Sequence, residues 1–77
     1  MTLKILIPTG TLIQEEVSIV TLPGAMGSFQ VLKDHAPLLS PLDRGTVTWK
    51  GENPGSLQIS DGFVRVENNT ITICAEL

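Results

Sequence analysis

GFVRVENNTITICA, residues 62–75, decides the fold class. Two β-branched runs flank Asn68-Asn69, and asparagine tolerates the positive φ that a tight hairpin turn requires. After that turn Ile71 and Ile73 take alternate positions, which predicts the inward side of a final strand. The same pattern repeats outward along the chain. SLQIS (56–60) meets GFVRVE (62–67) around Asp61-Gly62, GENPG (51–55) reads as a turn, and GTVTWK (45–50) alternates cleanly. SFQVL (28–32) places Phe29 and Val31 on one face. TLKILIP (2–8) sets Leu3, Ile5 and Ile7 against Thr2, Lys4 and Leu6, and GTLIQEE (10–16) follows a turn at Pro8-Thr9-Gly10, so the opening strands are expected to pair as a hairpin. VSIVTLP (17–23) is read with Val17 and Ile19 against Ser18 and Val20. PGAMGS (23–28) and KDHAP (33–37) are expected loops, the second because Pro37 pushes Ala36 out of the helical region. LLSPL (38–42) is extended, and Pro41 confines it to an edge or to the end of pairing. Turn formers thus recur every ~8–12 residues with no sustained helical period between them, which predicts an all-β sandwich or barrel.

Composition narrows the function classes. The 77 residues are expected to form one domain, 1–77, and 42% hydrophobic against 17% charged residues fits a globular chain. The net charge is -3, and Lys4, Lys33, Arg44, Lys50 and Arg65 are scattered. Binding to a phosphate backbone rests on grouped cations and is disfavoured. The single Cys74 excludes an internal disulfide framework and a cysteine-based metal site, and fits a reducing compartment. No apolar run approaches the ~18–20 residues of a membrane span, and the N-terminus lacks a signal-peptide pattern. A soluble protein is expected, compatible with a place on a membrane complex.

Catalysis needs convergent groups, and few are available. His35 is the only histidine, and its neighbour Asp34 points to the opposite side on extended chain. Glu15, Glu16, Glu52, Asp61 and Glu67 fall at strand ends and turns, where charge discourages edge aggregation. GAMGS has no lysine partner and opens no helix, so it is no phosphate loop. The chain is read as a non-catalytic β domain with neither metal nor cofactor, whose work is binding. PLLSPL is the expected docking patch, since its three leucines cannot all point inward.

VTLPGAMGSFQVLKDHAPLLSPLDRGTV, residues 20–47, resembles the central segment of the epsilon subunits of F-type ATP synthases. The family's pattern, a PG–G loop followed at fixed distance by HAPL, lies on Leu22, Pro23, Gly24, Gly27, Phe29, Val31, Leu32, His35, Ala36, Pro37, Leu38, Leu39, Leu42 and Gly45. SDGFVRVENNTITICAE is similar to the family's later strands, and LKILIPTGTLIQEEVSIV to its first hairpin.

The resemblance implies a flattened β-sandwich of two antiparallel or mixed sheets, with about eight to ten short strands. It implies a non-catalytic central-stalk subunit that docks on the gamma subunit and on the c subunits of the membrane rotor ring. Such a subunit couples proton or sodium movement to ATP synthesis at the cytoplasmic face of the cell inner membrane. The ring-facing loops map onto Ala25, Met26, Gly27, Ser28, Asp34 and His35, and the gamma-facing surface onto Leu38, Leu39, Ser40 and Pro41. His35 is read as an anchor of its loop, through a backbone hydrogen bond, and as part of the ring-facing rim. Three departures stand out. Ser28 occupies a place where many members carry glutamate, and Lys33-Asp34 replace a commoner proline-glycine. Many members also continue into two C-terminal helices that can inhibit hydrolysis and, in some, bind ATP. Here the sequence stops at Leu77; it does not decide between a naturally short form and a truncated one, although the start at Met1 suggests the former. A free-standing sandwich that binds a peptide or carbohydrate is the alternative. It would need an aromatic platform from Trp49, Phe29 and Phe63.

Overall fold

Turn residues divide the chain into eight strands and no helix in the computed structural model, which describes residues 1–77. They are β1 (Thr2–Ile7), β2 (Gly10–Gly24), β3 (Gly27–Leu32), β4 (Leu38–Leu42), β5 (Gly45–Gly51), β6 (Gly55–Ile59), β7 (Asp61–Glu67) and β8 (Thr70–Glu76). The expected opening hairpin is β1 with β2, paired from Thr2↔Glu16 to Ile7↔Gly10.

β2 organises the molecule. The two expected strands 10–16 and 17–23 are one strand of 15 residues, because nothing between Glu16 and Val17 stops pairing. Its first half pairs β1, and its second half pairs β5 on one side and β3 on the other. The register slips between Val17 and Ile19. A slip of one residue turns every later side chain over. Val17, Val20 and Leu22 therefore point inward, and Ile19, expected on the same side as Val17, is half-buried instead.

One layer runs β3-β2-β5-β6, and the other continues from β2 through β1, β8 and β7 to β4. The β1–β8 pair is parallel and the others antiparallel. The two layers are thus a single mixed sheet folded across β2, a flattened sandwich of 26 × 25 × 17 Å. Two stacked sheets lie about 10 Å apart, so 17 Å leaves room for two layers and no third.

All 15 buried residues are hydrophobic and form one cluster. Val20, Leu22, Val31, Val47, Trp49 and Ile59 come from one layer, and Leu3, Ile5, Val64, Val66, Ile71 and Ile73 from the other. Ile71 and Ile73 are fully buried, as their alternation predicts. The 23–28 loop is shorter than expected: Gly24 and Gly27 pair, which leaves Ala25-Met26 as the tip.

Candidate functional site

Two surfaces collect the residues singled out in the sequence. The first is the rim around β3. Glycines shape it by close approach. A Cβ on Gly24 would lie 2.7 Å from the Phe29 ring, and one on Gly45 2.7 Å from Pro23. The Asp43 N–H donates to the Pro23 carbonyl at 2.8 Å, and Gly24 pairs Leu42. The PG–G motif and the LL–L–G motif are therefore two sides of one contact. At the hairpin tip Met26 is fully exposed, and Ala25, Gly27 and Ser28 are exposed beside it.

Asp34 and His35 leave the other end of β3. Six residues of strand, roughly 20 Å, separate them from the hairpin tip. The rim residues thus share one edge strand, since β3 pairs only β2, but they occupy its two ends. Asp34 has φ 63, the left-handed region that glycine enters freely. Asn69 holds it there: the Asp34 N–H donates to Asn69 Oδ1 at 2.7 Å, and Asn69 Nδ2 donates to Asp34 Oδ1 at 3.1 Å. Nothing in the local sequence of either loop signals this link across 35 positions. The His35 N–H donates to the Leu32 carbonyl at 3.2 Å. Nδ1 lies 2.7 Å from the Ala36 carbonyl, which can only accept, so Nδ1 carries the proton in this contact. The expected backbone anchor is present.

The second surface is β4 and its neighbours. β4 pairs β7 along its whole length and touches β2 only at Leu42, so Pro41 sits on an edge as its missing N–H requires. Alternation splits the four expected docking residues. Leu38 and Ser40 lie opposite the buried Val66 and Val64 and are half-buried. Leu39 and Pro41 point outward, and Leu39 is 70% exposed. Phe63 stands directly opposite Pro41 and is 48% exposed, an aromatic named in the sequence only for a sugar or peptide platform and not for the docking patch.

Other chemistry is sparse. No three His, Cys, Asp or Glu side chains come together as a metal-binding group. Trp49 is buried, its indole N–H donates to the Asn53 carbonyl at 3.0 Å, and its ring covers Gly55. Phe29 is half-buried over Gly24. Phe63 alone is left as an open aromatic, too little for a sugar platform.

Known proteins share this arrangement. The family model for the β-sandwich domain of the ATP synthase delta/epsilon chain matches residues 1–77. The ATP synthase epsilon chain of Desulfitobacterium hafniense is 39% identical over 97% of this chain and 58% of its own length. That of Desulfosudis oleivorans is 37% identical over 96% of this chain and 57% of its own. The chain therefore spans little more than half the length of these curated relatives. A chain in the cryo-EM structure of the Euglena gracilis mitochondrial ATP synthase, OSCP/F1/c-ring, superposes with TM-score 0.81 at 26% identity, over 95% of this chain and 48% of that one. A chain in the Tetrahymena thermophila mitochondrial ATP synthase central stalk and c-ring gives 0.84 at 18% identity, over 100% and 63%, and shows the common fold. With Gly45 and Asp43 of one motif packed on Pro23 of the other and the family model matched over residues 1–77, the chain belongs to the ATP synthase delta/epsilon chain β-sandwich domain family.

Proposed function

We propose that this chain, acting as one domain, serves as a non-catalytic central-stalk element of an F-type ATP synthase. In this reading it docks on gamma and on the c subunits of the rotor ring, turns with them, and helps couple ion translocation to ATP synthesis at the cytoplasmic face of the inner membrane. The family match supports the assignment to the complex. The observation that carries the docking role is the outward pair Leu39 and Pro41 on an edge strand, beside an exposed Phe63. Exposed apolar side chains grouped in this way mark a surface that a partner covers. Ala25, Met26, Gly27 and Ser28 at one end of β3, with Asp34 and His35 at the other, form the proposed ring-facing rim. Co-purification tests the assignment. The tagged chain, co-expressed with the gamma subunit of the same organism, is expected to bring it down one to one. Two folded proteins that elute separately at micromolar concentration would overturn it.

A further inference from the structure

The outer face of the β4-β7-β8-β1 layer carries more than the leucine edge. Register places Pro41, Phe63, Cys74 and Leu6 in one row across four strands. A groove of about 420 Å³ opens beside Phe63 and Cys74 and is walled by Leu6, Ile7 and Pro8. It ends at Asp61 and Glu76, which are direct cross-strand partners and both exposed. Like charges directly opposite each other in a sheet are destabilising. The fold does not compensate them, because the two ion pairs of the chain are Met1 with Glu16 and Arg65 with Glu67. The cations of this face, Lys4 and Arg65, stand two rows from the acids, roughly 13 Å along the strands and past the screening length of physiological salt. Arg65 is already held by Glu67 at 2.6 Å. The groove therefore offers an apolar floor and an uncompensated negative end.

We infer that this four-strand face is a docking surface for a segment of the stalk partner that lays an apolar side chain against Phe63 and Cys74 and sets a Lys or Arg between Asp61 and Glu76. The inference rests on the gamma-docking reading and extends that surface beyond β4. A cation between the two carboxylates replaces their repulsion with two charge-assisted contacts. The acids then cost stability in the free chain and contribute to the complex.

That opposition of signs gives the test. Asp61→Asn with Glu76→Gln, Phe63→Ser, and Glu52→Gln as a remote acidic control are compared by titration against purified gamma at low and physiological salt. Urea unfolding of each free variant is measured in parallel. The neutralised pair is expected to unfold at equal or higher urea, to bind gamma at least about tenfold more weakly, and to lose most of the salt dependence of binding. Phe63→Ser should weaken binding at both salts, and Glu52→Gln should bind as the parent does. If gamma binds the neutralised pair as tightly as the parent, with the same salt dependence, the inference is wrong while the docking reading stands. If gamma binds no form of the chain, both fall. A parent chain that sediments as a dimer and becomes a monomer on Phe63→Ser would assign this face to a second copy and also overturn the inference.

Discussion

Leu38 and Leu39 show how one step along a strand separates two roles. Leu38 packs against the core and Leu39 stands 70% exposed, because successive side chains of β4 point to opposite faces. Leu39→Asp should leave the urea midpoint unchanged and weaken gamma binding by about 2 kcal/mol or more, the range of an interface anchor. Leu38→Asp should lower stability by several kcal/mol, since a half-buried carboxylate there gains no partner. A fold of 77 residues holds on the order of 4–12 kcal/mol in total, so that change approaches complete unfolding. Equal urea midpoints for the two variants would show that alternation does not divide them. Gly24 makes a third case. The Cβ of Gly24→Ala would press on the Phe29 ring and the Gly27 carbonyl, both 2.7 Å away, and overpacking of this kind costs about 1–3 kcal/mol. Chemical denaturation checks it, and a midpoint equal to the parent's would mean that the Phe29 ring moves aside freely.

Two connections between the strands act at a distance. Asn69 supports the β7–β8 turn with φ 58, donates to Asp34, and accepts the Thr2 N–H on its backbone carbonyl at 2.9 Å. Asn69→Gly keeps the backbone conformation and removes the side-chain bonds, whereas Asn69→Ala loses both. Ala should therefore be the more destabilising by about 1 kcal/mol. Amide exchange at Asp34 should quicken in both variants, and slow exchange in either would show that the loop holds itself. At the tip of the β2–β3 hairpin, Met26→Cys in a Cys74→Ser background is expected to cross-link to a cysteine placed in the polar loop of the ring subunit. Absence of the cross-link in assembled complex would remove the tip from the ring-facing rim. These cases also show what the sequence could reveal. Asn68-Asn69 with Ile71 and Ile73 is a local signal, and the hairpin it predicts is present. The bulge at Val17 was hidden, because it arises where β2 changes partners and no residue type marks it. Leu39 was legible as one of two opposed leucines, but choosing between them required the neighbour β7. The place of Phe63 beside the β4 edge is not legible in the sequence, because its row is assembled from four strands distant in sequence.

At the scale of the molecule, eight strands without a helix predict a far-ultraviolet spectrum of pure strand type. A double minimum of helical form would contradict it. Calorimetric titration of this chain with Mg-ATP is expected to give no saturable heat, since its glycine loop is a two-residue hairpin tip with no helix to follow. Saturable micromolar binding would reopen the question of a nucleotide role. The parallel pairing of β1 with β8 has a consequence for how the protein is made. Thr2–Leu6 lies against Thr70–Cys74, so within this domain β1 waits, during synthesis, for β8. Antiparallel neighbours can form a hairpin as soon as they emerge, but this parallel pair must close nearly all of the eight-strand domain. Until residues 70–74 clear the exit tunnel, the β1–β2 hairpin carries an open edge and uncovered Leu3 and Ile5. Synthesis at ~5–20 residues per second leaves that edge bare for several seconds. A nascent chain arrested before Thr70 should therefore be engaged by chaperones and cut readily by protease, whereas one extended past the tunnel should become resistant in a single step.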